Sequence, residues 1–530
     1  MTGQLISQPT PNWSSSIGSN LSFYFSYQPK VKFDNLGDLV VCGNIMTGNN
    51  GLNMLLIKYT ASGSLIWLKT YNGLNNKDDE LSDFVFDNQN NIYVTGKTTV
   101  NTNNSDVITI KFDSGGNLIW QNTFNGYCNR NDEGYSISID NSNNSYIIGT
   151  TELDSNGWCR KIFMRKIDPS GTTIWSKRYG NDSTARCSGM QIKYLNGEVR
   201  TISYQTLPNR YIVMNINPNG NYIFTNEAPF IKGMGPTHID KLGNFYFGAF
   251  GAYKTTKINA NGNLAWIDSV GTNLPFNVTG DEVRALIVDS LQNVYTTGRH
   301  YGPNYNVPNN TNCDVLTVKY SSSGSIQWSK RYDYLGTNSC DIGNSICLDS
   351  SLNVYVGAES QRTVVATDYD YAVIKYNNLG SQMGTIRYND PYSKDDAISS
   401  IITDKYGCIY VTGLTMDNLT TSNTTTQKYC SVNTGLFETA SDKIIVNAFP
   451  NPFNSEVYVD LPDNNVENLH LKLYNSIGQV VFEQFYSETR RLKINPSNLS
   501  SGFYHFVIKS TDRQYSGKLV TVSYTHLTLP

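Results

Sequence analysis

The sequence predicts an all-β protein, in which an eight-bladed β-propeller is followed by a small Ig-like β-sandwich. Three observations lead to this prediction. The chain of 530 residues is rich in Asn, Gly, Ser, Thr and Tyr, a composition that suits short strands joined by tight polar turns. Strand patterns with alternating polar and apolar residues recur about every 53 residues between residues 13 and 430. After residue 430 the repeat stops and a shorter set of alternating runs begins.

The first recurring signature is an aromatic-and-valine strand that ends in glycine. Clear copies are NIYVTG (91–96), NSYIIG (144–149), NVYTTG (293–298) and CIYVTG (408–413), and weaker copies occur at 38–43, 197–202, 244–249 and 353–358. The second signature is a hairpin with a Trp four residues after its turn glycine. It occurs at 56–67, 109–120, 164–175, 255–266 and 317–328, with degenerate copies that have Phe224 and Gly384 at the Trp position.

Each unit is therefore predicted to contain four short strands joined by hairpin turns. In the second unit these strands are expected at 81–86, 91–96, 107–112 and 117–124. Four antiparallel strands that recur at this spacing are typical of propeller blades, because the strands of a sandwich do not recur in register.

The eighth unit ends after its third strand, at Tyr429. Trp13 and Ser14 precede the first unit in the same way that Trp175 and Ser176 precede the unit after them. We therefore expect the N-terminal strand to complete the eighth blade, which removes the unpaired edge that an open ring would expose.

The repeat resembles the SBBP repeat family of bacterial β-propellers, in which a Y-V-T-G strand alternates with a K-Y…G-x-x-x-W hairpin. The resemblance covers residues 13–430 as eight repeats of about 53 residues. It implies the propeller fold and says little about the ligand.

The remainder of the chain divides into a linker at 431–441 and a second domain at 442–520. Alternating runs at 447–462, 471–481 and 500–510, broken by N-P, N-S and S-G turns, predict a small antiparallel sandwich. These runs resemble the type A sorting domain of the type IX secretion system. The motif residues are Pro450, Asn451, Pro452, Phe453, Gly478, Gly502, Tyr504, Lys518, Leu519 and Val520.

The resemblance implies export across the outer membrane, with this domain as the sorting signal and the type IX machinery as a partner. We therefore expect a protein that is secreted or attached to the outer cell surface. An ordinary Ig-like spacer module is the alternative interpretation of the same runs.

Both ends depart from that family. The start MTGQLISQPTPNW lacks the basic and apolar segments of a secretory signal, so we expect the natural start to lie upstream. The last ten residues, 521–530, do not continue a sandwich strand and resemble translated adapter sequence, so we expect a non-native tail there.

Charge and hydropathy exclude two kinds of partner. The formal net charge is −3 with 16% charged residues, which leaves no positive excess to neutralise the phosphates of a nucleic acid. No run approaches the roughly 20 apolar residues that a membrane-spanning helix needs. We expect a monomer without a transmembrane segment.

Acidic residues recur where the first strand of a unit begins, and three aromatic residues lie in loops outside the repeat register. The carboxylates could converge on a cation or a polar ligand near the channel. Alternatively, each carboxylate binds local N–H groups and recurs because the blade recurs. These candidate ligand residues are Asp79, Glu80, Asp132, Glu133, Asp281, Glu282, Asp341, Asp395, Asp396, Trp158, Tyr301 and Tyr305.

We expect no cofactor and no metal. Turns such as 87–91 and 140–144 look like calcium loops but lack the Glu at the twelfth position, so calcium is the less favoured interpretation. Nine cysteines without a C-x-x-C pair give no zinc site. Cys313 with Cys340, and Cys128 with Cys159 or Cys187, are plausible disulfides, whereas Cys42, Cys347, Cys408 and Cys430 are expected to be buried in or next to strands.

No nucleophile motif or triad order can be assembled around the five His residues. We therefore expect a non-catalytic binding or scaffold protein whose loop face engages a glycan or a protein. An extracellular propeller enzyme acting on polysaccharide is the alternative, and a quinoprotein-like dehydrogenase is less favoured because adjacent cysteines are absent. A purely structural surface component also remains open.

Overall fold

The computed structural model divides into two units, and the second begins after Cys430. It describes residues 11–521 except 19–28, 47–50, 74, 102–103, 127, 154–158, 180–185, 207–208, 229–233, 252, 270–280, 302–312, 335–338, 362–368, 389–394, 417–421, 431–442, 447, 454, 462–466, 476–479, 496–498 and 511–513. No helix in these described residues is long and apolar enough to cross a membrane.

The described strands of the first unit form eight sheets of four strands each, which fit the blades of a propeller. Sheet 1 contains β2 (Lys30–Phe33), β3 (Leu39–Met46), β4 (Leu52–Tyr59) and β5 (Leu65–Tyr71); sheet 2 contains β6 (Asp79–Phe86), β7 (Ile92–Asn101), β8 (Asn104–Phe112) and β9 (Leu118–Phe124). Sheet 3 contains β10 (Asp132–Ile139), β11 (Ser145–Glu152), β12 (Arg160–Ile167) and β13 (Thr173–Tyr179); sheet 4 contains β14 (Cys187–Leu195), β15 (Glu198–Thr206), β16 (Asn209–Ile216) and β17 (Tyr222–Ala228).

The other four sheets follow in chain order, and the N-terminal strand joins the last one. Sheet 5 contains β18 (Thr237–Ile239), β19 (Phe245–Gly248), β20 (Lys254–Ile258) and β21 (Leu264–Ser269); sheet 6 contains β22 (Glu282–Val288), β23 (Val294–Tyr301), β24 (Cys313–Tyr320) and β25 (Ile326–Tyr332). Sheet 7 contains β26 (Asp341–Leu348), β27 (Val354–Gln361), β28 (Tyr369–Tyr376) and β29 (Gln382–Tyr388); sheet 8 contains β30 (Asp396–Thr403), β31 (Cys408–Met416), β32 (Ser422–Cys430) and β1 (Trp13–Gly18).

An aspartate holds the turn between the first and second strands in seven of the sheets. In sheet 3, Asp140 Oδ1 accepts hydrogen bonds from the backbone N–H groups of Ser142 and Asn144, and its Oδ2 accepts one from Tyr146 Oη at 3.1 Å. Lys166 covers the Tyr146 ring, with Nζ 5.0 Å from the centroid. The calcium-like turns 87–91 and 140–144 are therefore Asx turns whose carboxylate oxygens bind the protein itself. The seven residues are Asp34, Asp87, Asp140, Asp240, Asp289, Asp349 and Asp404.

Tryptophans of the fourth strands fasten five of the sheets to the next one. Trp120 of sheet 2 donates its Nε1–H to the carbonyl oxygen of Pro169 in sheet 3 at 2.9 Å. Its indole packs on Gly171, where a Cβ atom would lie 2.9 Å from the ring and the φ angle is +92°. Only glycine combines this positive φ with space for the indole. The same indole-to-carbonyl bond is made by Trp67, Trp175, Trp266 and Trp328.

The predicted pairing of the N-terminal strand with the eighth unit is present. β1 runs antiparallel to β32, with Trp13 opposite Lys428 and Gly18 opposite Asn423. The Trp13 indole packs on Gly63 of sheet 1, in the way that four other tryptophans, Trp67, Trp120, Trp266 and Trp328, pack on the glycines of their neighbours. On the inner side, Ser399 Oγ of sheet 8 donates to the Pro29 carbonyl oxygen before sheet 1 at 2.6 Å. Sheet 8 is thereby joined to sheet 1.

The second unit contains a five-stranded and a three-stranded sheet that share one core of Leu, Ile, Val, Phe and Tyr side chains. The antiparallel prediction is wrong in one place, because β33 pairs parallel to β40. The predicted end at Val520 is also one residue short, since Thr521 continues the last strand and its Oγ1 donates to the Ser500 carbonyl oxygen at 2.6 Å. The order of the larger sheet is β33, β40, β39, β36, β37 and that of the smaller sheet is β34, β35, β38, with the strands β33 (Lys443–Ile445), β34 (Ala448–Phe449), β35 (Val457–Asp460), β36 (Glu467–Tyr474), β37 (Val480–Glu488), β38 (Arg491–Ile494), β39 (Gly502–Lys509) and β40 (Gln514–Thr521).

Removal of residues 1–18 should lower the thermal unfolding temperature of the first unit markedly. The deletion exposes the edge of β32 and empties the Trp13 site on Gly63, and loss of a packed Trp alone costs about 3 kcal/mol or more. Circular dichroism would follow the transition. Deletion of residues 1–11, which leaves β1 intact, is the control and should change little. Equal melting temperatures for the two deletions would contradict ring closure by β1.

Candidate functional site

The carboxylate that begins the first strand of a sheet is buried and binds the segment that enters that sheet. Asp132 is fully buried, and its Oδ2 accepts a hydrogen bond from Gly126 N–H at 2.5 Å. Asp79 accepts from Gly73 N–H at 2.5 Å, and Asp341 accepts from Tyr334 N–H at 3.0 Å. These aspartates therefore hold the connections between neighbouring sheets.

Two further predicted aspartates, Asp281 and Asp395, lie just before the first strands of sheets 6 and 8, and each accepts a hydrogen bond from a backbone N–H group. Asp281 Oδ1 accepts from Tyr301 N–H at 2.8 Å, and its Oδ2 lies 2.9 Å from His300 Nδ1. Asp395 Oδ1 accepts from Tyr369 N–H at 3.0 Å, and the next residue, Asp396, is fully buried at the start of β30.

The glutamates beside these aspartates bind partners within their own sheets. Glu80 Oε1 lies 2.9 Å from Lys97 Nζ, and Glu133 Oε2 accepts from Tyr135 Oη at 3.1 Å. Among the described residues, no three Asp, Glu, His or Cys side chains are placed to hold a metal ion together. The acidic residues are thus distributed among separate sheets, each with local partners.

A continuous polar cluster does form where sheets 6 and 7 meet. We call it the inner polar cluster; it comprises Glu282, Arg284, Arg299, Asn344 and Glu359. Glu282 Oε1 accepts from Arg284 Nη2 at 2.9 Å and from Arg299 Nη2 at 2.7 Å. Arg284 Nη1 donates to Asn344 Oδ1 at 2.9 Å, and Asn344 Nδ2 donates to Glu359 Oε1 at 2.7 Å. One chain of hydrogen bonds therefore links two sheets.

The electrostatics of this cluster are unusual for a protein surface. Burial raises the pKa of Glu359 to about 7, against the opposing effects of the Arg284 guanidinium and the Asn344 amide. Glu282 is also buried but lies against two guanidinium groups. The cluster thus contains Glu359, which can carry a proton near neutral pH, and Glu282, which lies between the guanidinium groups of Arg284 and Arg299.

Aromatic residues flank the cluster. The half-buried Tyr301 lies under the Arg299 guanidinium, whose carbon is 5.1 Å from the ring centroid. Tyr369 is half-buried at the start of β28, and burial followed by the charge of Glu359 raises its pKa. Of the other predicted aromatic contacts, Trp158 and Tyr305 lie outside the described residues.

Sequence reasoning found Glu282 and Tyr301 but missed the other four members of the cluster, Arg284, Arg299, Asn344 and Glu359. Arg284 and Asn344 occupy a β-bulge that recurs in the innermost strand of six sheets. The residue type at this bulge varies among these sheets, whereas the strand itself begins with an acidic residue in five of the six. That variation at a fixed repeat position was the available signal. The six bulge residues are Ser82, Tyr135, Met190, Arg284, Asn344 and Ser399.

The cysteine predictions have mixed outcomes. The disulfide between Cys313 and Cys340 is present as predicted. Cys128 forms no disulfide, because its thiol donates to the Leu153 carbonyl oxygen at 3.1 Å. The expectation that Cys408 and Cys430 are merely buried is wrong, since they form a second disulfide between β31 and β32.

In the second unit, the predicted motif residues meet in space although they lie near opposite ends of the domain sequence. Asn451 Nδ2 donates to the Lys518 carbonyl oxygen, and Val520 N–H donates to Asn451 Oδ1, both at 2.8 Å. Phe453 enters the core and donates its N–H to the Val520 carbonyl oxygen at 2.9 Å.

The other motif residues belong to the same region. Tyr504 is buried and donates its hydroxyl to the Ser500 carbonyl oxygen at 2.8 Å, while Gly502 N–H donates to Thr521 Oγ1 at 3.1 Å. Leu519 is fully buried in the core. Gly478 lies outside the described residues.

The geometry defines a class of protein: an all-β chain with propeller-like sheets that carries a small two-sheet C-terminal domain. Residues 447–522 match the family model described as a secretion system C-terminal sorting domain. The chain therefore carries a sorting domain of this family. No curated protein matches the sequence.

Solved structures similar to this chain are β-propellers. The WD40 domain of SCAP from fission yeast has 9% identity and a TM-score of 0.42, covering 80% of this chain and 99% of that one. A catalytically inactive virginiamycin B lyase from Staphylococcus aureus with quinupristin has 10% identity, a TM-score of 0.37 and coverages of 78% and 99%. YCF48 from Cyanidioschyzon merolae has 9% identity, a TM-score of 0.39 and coverages of 66% and 95%. Likeness this distant carries no argument about function.

Replacement of Asp132 by Asn should flatten the pH dependence of stability. Burial raises the pKa of Asp132 to about 6, above the value of about 4 in an unfolded chain. Its protonation therefore stabilises the fold below about pH 4, and this contribution is lost as the pH rises through about 6. Between pH 7 and pH 4.5, Asp132→Asn should gain less in melting temperature than the parent protein.

Asp113→Asn is the control for this experiment. Hydrogen bonds from Asn117 lower the pKa of Asp113, so its contribution is present above the unfolded pKa and is lost on acidification. This variant should gain at least as much as the parent protein on acidification. Identical pH profiles for Asp132→Asn and the parent would contradict the assignment.

Proposed function

We propose that this protein is an exported, cell-surface binding protein: an eight-bladed propeller that binds a glycan at the inner polar cluster, with an Ig-like type IX sorting domain as its export address. The observation that carries the proposal is the match of residues 447–522 to the sorting-domain family, which indicates a secreted, cell-surface protein. The type IX machinery is the partner that such a domain implies.

Eight blades are supported by the eight sheets and by the contact of sheet 8 with sheet 1 through β1 and Ser399. The recurring Y-V-T-G strands and Gly-to-Trp hairpins support membership of the SBBP repeat family. The disulfides Cys313–Cys340 and Cys408–Cys430 fit an oxidising compartment outside the cytoplasm.

A glycan suits the chemistry of the inner polar cluster. Guanidinium, carboxylate and amide groups offer donors and acceptors in fixed directions, which is what a sugar with several hydroxyl groups requires. Tyr301 and Tyr369 add aromatic surface beside these groups. The hydrogen bonds within the cluster hold its side chains in place before a ligand arrives, which lowers the entropic cost of binding.

A polysaccharide-acting enzyme is the second candidate, and Glu359 is the observation that favours it. A carboxyl group with a pKa near 7 can donate a proton at neutral pH, and Glu282 supplies a carboxylate in the same cluster. Incubation with polysaccharides and detection of new reducing ends separates the two proposals. Stable binding without cleavage supports the binding protein, whereas cleavage that is lost in Glu359→Gln supports the enzyme.

Export is tested by fusing residues 431–522 to a periplasmic reporter in cells that contain a type IX system. We expect the reporter in the medium or on the cell surface, measured by immunoblot of cell fractions. Retention in the periplasm would contradict the export proposal. The same fusion in cells without the system is the control and should remain periplasmic.

Binding is tested with the full chain on a glycan array, followed by titration calorimetry on the best glycan. Arg284→Ala should weaken binding by about tenfold or more, because it removes a central cation and leaves Glu282 and Asn344 without a shared partner. Lys405→Ala, an exposed change in the turn between β30 and β31, is the matched control. Unchanged affinity in Arg284→Ala would place the ligand elsewhere, and a protein captured without any glycan signal would favour the protein alternative.

A further inference from the structure

The outer face of the five-stranded sheet in the sorting domain carries large exposed aromatic residues. Phe503 on β39 and Phe485 on β37 are 75% and 71% exposed. Their strand neighbours Tyr504 and Phe506, and the Leu residues of β36, point instead into the core. The two side chains stand at opposite ends of the face, because the register places Phe485 beside His470 and Lys509, six residues along β39 from Phe503.

Strand register places a group of basic residues on the same face. His470 lies opposite Lys509 and Phe485, Lys472 lies opposite Val507 and Glu483, and His505 lies opposite Lys518 and Tyr474. Because side chains alternate along a strand, all these residues point away from the core formed by Leu469, Leu471 and Leu473.

The charge on this outer face is unbalanced. Among its described outward positions, Lys472, Lys509 and Lys518 face a single acidic residue, Glu483. Glu483 is already bound by His470 Nε2 at 2.5 Å and by Lys472 Nζ at 3.3 Å. The face therefore presents net positive charge between two separate exposed phenylalanines.

The three-stranded sheet of the domain is different. Its outward charges are matched in pairs, with Arg491 Nε 2.6 Å from Asp460 Oδ1 and Lys493 Nζ 2.6 Å from Glu456 Oε2. Phe449 on that sheet is covered by the Arg491 guanidinium, 5.2 Å from the ring centroid. Among the described residues, the excess of basic groups and the more exposed phenylalanines thus lie on the five-stranded sheet.

We propose that this outer face, with Phe485, Phe503, Lys472, Lys509 and Lys518, is the surface by which the sorting domain docks on the export machinery. The partner is an acidic protein surface with two separate apolar sites, one for Phe485 and one for Phe503. Charge complementarity selects an acidic partner, and the exposed phenylalanines select one that can bury them. The inference rests on the proposed export function and names the surface that performs it.

The test uses the full chain, preceded by a secretory signal peptide, in type IX-competent cells. The variant Lys472→Gln, Lys509→Gln, Lys518→Gln removes three positive charges from the face. The control Arg490→Gln, Arg491→Gln, Lys493→Gln removes three from the region of the other sheet. We expect the exported fraction, measured by immunoblot, to fall about tenfold in the first variant and to stay near the parent level in the control.

A second variant separates docking from folding. Phe485→Ser with Phe503→Ser removes exposed aromatic surface and should leave the melting temperature of the domain within a few degrees, since exposed substitutions change stability by only about 0.5 kcal/mol. We expect its exported fraction to fall in the same way. Parent-level export of both face variants would overturn the proposal, as would equal losses in the face variant and the charge-matched control.

The outcomes distinguish this inference from the export proposal itself. Periplasmic retention of the unmodified chain would refute export, whereas export of the parent together with the face variants would refute only the docking surface. Binding of the purified chain to vesicles containing anionic phosphatidylglycerol is measured in parallel. Loss of vesicle binding in the lysine variant without loss of export would mean that the face meets a lipid surface and would also overturn the proposal.

Discussion

The packing of a fourth-strand indole on the turn glycine of the next sheet is the contact on which the ring depends. At five junctions between neighbouring sheets, the indole makes one directional N–H bond to a backbone carbonyl of the next sheet. At Gly171 the backbone has φ of +92° and a Cβ atom would approach the Trp120 ring to 2.9 Å, so the two residues depend on each other. This mutual requirement explains why glycine and Trp recur together in the sequence.

The same contact explains how the ring closes. Trp13 of β1 packs on Gly63 of sheet 1, so the first described strand gives sheet 8 the indole-on-glycine packing that Trp120 gives sheet 2. Its indole N–H has no hydrogen-bond partner among the described residues. Tryptophans make these outer contacts in six sheets, whereas sheets 4 and 7 have Phe224 and Gly384 at that position. At the inner strands, the aspartates fix the connections between sheets, as Asp132 does with Gly126. Acidic residues therefore recur at this position because each of them fixes the connection into its sheet. Residues that bind a ligand are expected instead at positions that vary between sheets.

The elements predictable from sequence were those specified by local residues or by repetition. The Gly-to-Trp hairpins, the Asx turns and the pairing of Trp13 with the eighth unit all follow from patterns within one unit. The inner polar cluster could not be found in this way, because Glu359 reaches Arg284 only through Asn344 of the adjoining strand. The Cys408–Cys430 disulfide was missed because the two residues occupy facing ends of neighbouring strands, a register that becomes evident only once β31 and β32 are aligned.

That disulfide lies at the position where the ring is most vulnerable. Sheet 8 alone is built from both ends of the repeat region, and its third strand ends at Cys430, directly before the segment that leads to the sorting domain. Any force transmitted along the chain during export would first act on β32. The bond to Cys408, together with the hydrogen bond from Cys430 N–H to Asn12 Oδ1 at 2.6 Å, ties this last residue to both neighbouring strands. The disulfide thus adds a covalent restraint to a strand that is otherwise held by its backbone pairing with β31 and β1.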